Sequence, residues 1–113
     1  MIIEYGCIYL VNFDPGIGNE YQKIRPALVI QSNSITGYSS LATIIPISSK
    51  VESRSIHDVF IAKDDLNRLL HDSILKVHQI SSFDKRRFIH RIGTVQNSIM
   101  DAVCTYLKIH FNL

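Results

Sequence analysis

The sequence predicts a mainly β fold with some α content: a small, strongly bent sheet of short, mostly antiparallel strands packed against a long C-terminal helix. Three observations carry this. Up to Ile80, short apolar runs rich in Ile, Val, Leu and Tyr recur, each ended by Gly, Pro, Asn, Asp or Ser. After Gly93 the apolar spacing changes from that of a strand to that of a helix. A chain of 113 residues, 46% hydrophobic and 19% charged, fits one compact domain with a single core.

The first strand is expected over residues 6–13, where Ile8, Tyr9, Leu10 and Val11 are stopped by the turn-forming Asp14-Pro15-Gly16. A Gly-rich loop carrying Glu20 and Tyr21 follows. Residues 27–31 make the second strand, 32–40 a loop rich in Ser, Asn and Gly, and 41–47 the third strand. Residues 48–55 are polar, and 58–61 resume a short strand. Between 63 and 71, Leu66, Leu69 and Leu70 have helical spacing in a stretch too short to decide. Residues 73–80 alternate Ile74, Lys76, His78 and Ile80 against Leu75, Val77 and Gln79, as a central or semi-exposed strand does. Asp84 is placed to cap a single helical turn in the basic segment 84–91, which holds Lys85, Arg86, Arg87, His90 and Arg91 around Phe88 and Ile89. Ile99, Val103, Tyr106 and Leu107, widened by Met100 and Phe111, make the final segment an amphipathic helix.

No repeat, low-complexity stretch or composition break interrupts this order, so residues 1–113 are expected to form one domain. The net charge is only +2, so a nucleic-acid site would have to come from local clustering. Cys7 and Cys104 are each flanked by apolar residues and read as buried, reduced thiols. No apolar run approaches the ~20 residues that span a bilayer. The N-terminus has no basic region leading into an apolar stretch, so the expected location is cytoplasmic, away from membranes.

The five histidines, His57, His71, His78, His90 and His110, are scattered. No Cys-Xaa-Xaa-Cys or His-Glu-Xaa-Xaa-His pairing is present, and Asp64-Asp65 is an adjacent pair on a turn. No metal site and no cofactor are expected. There is no Gly-Xaa-Ser-Xaa-Gly elbow and no phosphate loop ending in Gly-Lys-Ser or Gly-Lys-Thr, which removes serine-hydrolase and nucleoside-triphosphatase readings.

The segment Ile24-Arg25-Pro26-Ala27-Leu28-Val29-Ile30 sets a permanently charged guanidinium at the mouth of an apolar strand. Proline supplies no amide hydrogen and fits a strand's first position or edge. Arg25 should therefore stand at the rim of a sheet, with a planar fork of donors suited to phosphate or carboxylate. A solvated arginine at a strand end is the plainer alternative.

With its flanks, the segment becomes specific. Gly6-Cys7-Ile8-Tyr9-Leu10-Val11-Asn12-Phe13-Asp14-Pro15, Gly16-Ile17-Gly18-Asn19-Glu20 and Arg25-Pro26-Ala27-Leu28-Val29-Ile30 come first. Ile45-Pro46-Ile47-Ser48-Ser49, Asp72-Ser73-Ile74-Leu75 with His78-Gln79-Ile80, Asp84-Lys85-Arg86-Arg87-Phe88 and Ile92-Gly93 follow. In order and spacing this resembles the MazF/PemK family of toxin endoribonucleases from Gly6 to Leu113.

The resemblance implies an SH3-like barrel, a homodimer with RNA-binding grooves at or near the subunit interface, and a cognate antitoxin whose acidic, partly disordered tail blocks the groove. It also implies sequence-selective cleavage of single-stranded RNA without a metal, the 2′ hydroxyl of the substrate acting as nucleophile. Arg25 then stabilises the pentacoordinate phosphate. Ser48, where the family usually has threonine, donates one hydrogen bond. Glu20 accepts the 2′ proton or orients Arg25. Gln79 offers an amide to a base edge, Tyr21 and Phe13 offer rings for stacking, and Ser49 and Lys50 lie in a loop that shapes recognition. Phe13 also fits a core strand position, His78 fits plain packing, and the basic run fits either a solvated helix face or contact with the RNA backbone. Two other functions stay open: a CcdB-like toxin that binds gyrase on the same scaffold, and a noncatalytic RNA-binding or antitoxin-binding module.

Overall fold

The computed structural model describes residues 1–15 and 23–113. Its strands are β1 (Cys7–Asn12), β2 (Ile24–Val29), β3 (Leu41–Ser48), β4 (Val59–Ile61), β5 (Ser73–Leu75), β6 (Ser81–Asp84) and β7 (Phe88–Thr94). Its helices are the short α1 (Asn33–Thr36) and the C-terminal α2 (Asn97–His110). The sheet runs β4-β5-β3-β2-β1-β7, with β6 also paired to β3, and every pairing is antiparallel. Among the described residues no ladder joins β7 to β4 or β6, so the sheet is bent but not closed into a full circuit.

Both faces of the central strands are buried, which explains why the sequence shows continuous apolar runs there. Tyr9, Val11, Ala27, Val29, Ala42 and Ile44 fill one face together with Phe88. Ile8, Leu28, Ile45, Ile47 and Leu75 fill the other, where Met100 and Val103 of α2 cover them. Removing such surfaces from water at roughly 25 cal/mol per Å² is the main stabilising contribution. Gly6, with φ 80°, adopts the left-handed turn that leads into β1.

Two prolines decide where ladders stop. Gly6 N bonds Val29 O at 2.9 Å and Ile30 N bonds Thr43 O at 3.0 Å, so the backbone groups of odd-numbered β2 residues face β1 and those of even-numbered ones face β3. Pro26 faces β3 without an amide hydrogen, and the β2–β3 ladder ends at Ala27↔Pro46. Pro46 O accepts Lys76 N at 3.0 Å, so its missing amide hydrogen falls on the opposite edge, toward β5 and β6. There the expected strand over 73–80 is interrupted: a 3-10 turn at Val77–Gln79 separates β5 from β6.

Other boundaries also moved. The second strand starts at Ile24 because β1 pairs with it from Asn12↔Ile24 onward. The helical turn in the basic segment is confined to Lys85–Arg87, with Asp84 accepting from Arg86 N as its cap. Phe88 opens β7, because burial of its ring against Tyr9 favours pairing with β1 over further helix. The stretch 63–71 forms turns rather than helix, organised by Asp64 Oδ1 accepting from Leu66 N at 2.9 Å and Asn67 N at 2.7 Å. Cys7 is buried as expected, whereas Cys104 is exposed on α2; both are free thiols.

Candidate functional site

Past Pro26 the sheet forks. β2 continues against β1 through Val11↔Arg25, while β3 continues against β5 through Ser48↔Ile74. Arg25 and Ser48 thus occupy matching register positions on the two lips of the opening, each two residues past Ala27↔Pro46. Arg25 is half-buried, and Ser48 is 9% exposed. The Ser48 hydroxyl accepts from Lys50 N at 3.1 Å, which turns the chain at the end of β3 and leaves its O–H as a donor. Ser49 and Lys50 are exposed just beyond it.

Gln79 is half-buried in the turn that Pro46 imposes, beside the exposed His78. Interruption of the strand is what lifts these two side chains out of a regular pleat. Phe13 is 2% exposed and packs edge to face with Phe83, ring centroids 5.1 Å apart, so it belongs to the core and not to a stacking surface. Glu20 and Tyr21 lie outside the described residues.

The residues on either side of the segment that carries them are described. Phe13 N bonds Lys23 O at 2.8 Å, and the Asp14 carboxylate accepts from Lys23 N at 2.7 Å. Arg87 donates to Asn12 O at 3.1 Å and to Asp14 O, with its guanidinium 5.7 Å from the centre of the Phe83 ring. Lys85 donates to Thr36 O, and Arg86 pairs with Asp84 at 2.9 Å. Lys85 and Arg87 are therefore engaged with backbone carbonyls, whereas the Arg86 side chain, paired only with the neighbouring Asp84, stays 90% exposed, so of the three it is Arg86 that forms the solvated face.

The convergence of Lys76 and His78 on Asp58 escaped the sequence reading, which has His78 simply packing. Asp58 is fully buried just before β4 and accepts from Lys76 Nζ at 2.8 Å and from Ser55 N at 2.9 Å. Burial opposes its ionisation, but Lys76 and the Ser55 amide outweigh it and hold the carboxyl below its usual range. The available signal was an acidic residue directly abutting the apolar run Val59-Phe60-Ile61. Among the described residues, no three His, Cys, Asp or Glu side chains converge as a metal-holding group. No described helix is long and apolar enough to cross a membrane.

Known proteins share this architecture over its full length. The crystal structure of MazF (Form-I) from Deinococcus radiodurans superposes with a TM-score of 0.87 at 20% identity, covering 100% of this chain and 99% of that one. An endoribonuclease in complex with its cognate antitoxin from a mycobacterial species gives 0.80 at 17% identity, covering 98% and 96%. Endoribonuclease EndoA of Bacillus subtilis (strain 168) is 26% identical over 113 residues, which is 100% of this chain and 97% of EndoA. The sequence pattern of one family runs through residues 4–111, from the segment before β1 to the end of α2 and across both lips of the fork, and by that match the chain belongs to the PemK-like, MazF-like toxins of type II toxin-antitoxin systems.

Proposed function

We propose that this chain is a sequence-selective, metal-independent endoribonuclease that cuts single-stranded RNA and is neutralised by a cognate antitoxin. The observation that carries the proposal is the fork: in a chain of this toxin family, related to an endoribonuclease, Arg25 and Ser48 stand at matching positions on its two lips. A scissile phosphate between them would meet a guanidinium from one side and a hydroxyl from the other.

The substrate 2′ oxygen attacks the adjacent phosphorus as its proton passes to a base, and the bond to the 5′ oxygen breaks as that oxygen takes up a proton from an acid. Products are a 2′,3′-cyclic phosphate, opened or not to a 3′ phosphate, and a 5′ hydroxyl. Arg25 stabilises charge growing on the non-bridging oxygens, a task for which a bidentate, permanently charged donor is suited. Ser48 donates one hydrogen bond to the same phosphate. Glu20 takes the 2′ proton or orients Arg25. Gln79, Ser49, Lys50 and Tyr21 contact the flanking nucleotides, since unstacked bases offer both edges and faces to a protein.

Among structural neighbours, the mycobacterial endoribonuclease is bound to its cognate antitoxin. For this chain the partner we infer has an acidic, partly disordered tail that folds over the site. The active unit is a homodimer in the cytoplasm, and light scattering should return roughly twice the 12.9 kDa chain mass at micromolar concentration.

The deciding experiment is cleavage of single-stranded RNA by purified protein in excess EDTA, with the product ends identified. Cleavage leaving a cyclic phosphate and a 5′ hydroxyl is expected. Loss of activity on chelation with recovery on adding a divalent ion would overturn the mechanism. Inhibition of gyrase supercoiling without RNA cleavage would assign the chain to the gyrase-binding class instead.

A further inference from the structure

Asp58 is the only charged residue in the buried set among the described residues. Its Oδ2 is engaged by Lys76 and Ser55, but its Oδ1, also buried, makes no hydrogen bond. An ionised oxygen sealed from water without a donor is costly. Oδ1 faces His78 Nδ1 at 3.5 Å. A proton on Nδ1 turns that approach into a charge-assisted hydrogen bond after a small ring adjustment, whereas a bare Nδ1 would set lone pair against carboxylate. A neutral imidazole with its proton on Nδ1 would satisfy that oxygen and leave Nε2 as an acceptor. The His78 side chain is 47% exposed, so with Nδ1 turned to a buried carboxylate the open side of the ring is the Nε2 side.

The same carboxylate links two parts of the surface assigned to RNA. Ser55 belongs to the segment that follows Ser49 and Lys50, and His78 belongs to the turn that carries Gln79. We propose that Asp58 is a positioning residue for RNA recognition: its carboxylate holds the Nδ1 proton of His78, so that Nε2 stands beside Gln79 as an acceptor for a nucleobase N–H. The matching ligand group is an amino group of adenine, cytosine or guanine on an unstacked base. This proposal rests on the RNA-cleaving function above.

The test has two arms on the full chain. Nitrogen-15 NMR of the imidazoles at about pH 8, where an ordinary imidazole is neutral, reads the tautomer, with His78→Gln providing the assignment. The parent protein should show the proton on Nδ1. Asp58→Asn, whose amide keeps its oxygen for Lys76 and Ser55 and turns its N–H₂ toward His78, should shift the proton to Nε2. In the cleavage arm, His78→Asn keeps a donor for Asp58 but has no atom at the Nε2 position. It should raise KM on the preferred RNA roughly 10-fold, the usual effect of one lost hydrogen bond, with a much smaller change in kcat. His78→Gln, whose amide reaches further, should restore most of the loss. If Asp58→Asn does not fold, the parent tautomer and the His78 variants still decide. A proton on Nε2 in the parent, or an unchanged KM in His78→Asn, overturns the proposal. Absence of any RNA cleavage by the parent, with the expected tautomer present, would overturn the RNA reading and this ligand while leaving the Asp58–His78 contact standing.

Discussion

Arg25 and Ser48 lie at equivalent positions on neighbouring strands, each two residues past the Ala27↔Pro46 pair at which β2 and β3 part. Among the described residues the β2–β3 ladder does not reach either of them, because Pro26 offers no amide hydrogen with which to extend it. Replacing Arg25 by Ala should remove about 3 to 4 kcal/mol of transition-state stabilisation, a rate loss of about 100-fold to 1000-fold. Lys at this position should rescue only partly, since an ammonium cannot meet two oxygens in one plane. Single-turnover cleavage at saturating enzyme measures this, and a rate equal to the parent's would remove Arg25 from the mechanism.

Ser48 should matter less for the phosphate and more for its own loop. Ser48→Ala deletes one neutral donor and also the acceptor for Lys50 N, so a rate loss of roughly 10-fold is expected, together with faster amide exchange at Lys50. Ser48→Thr keeps the hydroxyl on a stiffer side chain and should equal or exceed the parent in rate. Cleavage by the Ala variant at the parent's rate would show that the hydroxyl is dispensable.

The Asp84 carboxyl is drawn from 3.8 down to about 2 by the side chain and backbone hydrogen bonds of Arg86. A folded-state value below the unfolded one means that the ionised form favours the fold. Its contribution is whole above about pH 4 and is lost as the pH falls through about 2. A carboxyl NMR titration should place the Asp84 midpoint near 2, and Arg86→Ala should return it toward 3.8. A parent midpoint at the ordinary value would mean that the cap does not hold in solution.

Gly93, within β7, lies against the turn at residues 65–67 between β4 and β5. A Cβ there would come within 2.5 Å of both the Leu66 and Asn67 carbonyl oxygens, and those atoms belong to backbone held by Asp64 and Asn67. Gly93→Ala should therefore destabilise the protein by about 2 to 3 kcal/mol, as overpacking usually does. Urea unfolding measures it, and a change below about 0.5 kcal/mol, the range of neutral surface substitutions, would show that the turn yields freely.

The periodicity of the last segment reached α2 correctly, since Met100 and Val103 do face Ile8, Leu28 and Ile45. The cap at Asp84 was also legible, because a short acidic side chain before a polar turn acts within three residues of itself. The strand over 73–80 was misread at its middle because alternation says nothing about the strand alongside, and the missing donor is on Pro46. The engagement of Arg87 was out of reach for a related reason: it is held by Asn12 O and Asp14 O, acceptors more than seventy positions away in the chain. The strand pattern favoured a core place for Phe13 over a stacking one, and the edge-to-face contact with Phe83 puts it there.

By itself the sequence determined the fold class, the terminal helix and the family motifs, together with the strand-mouth position of Arg25. All of these depend on neighbours within a few residues, where periodicity, capping and proline stereochemistry act. The tertiary structure alone decided that Arg25 and Ser48 share a register across the fork, that Lys85 and Arg87 are engaged with distant backbone carbonyls, and that a buried Asp58 faces Lys76 and His78. Those are pairings between distant segments, set by which carbonyl lacks an amide opposite it and which charge is sealed from water, and no local pattern carries that information.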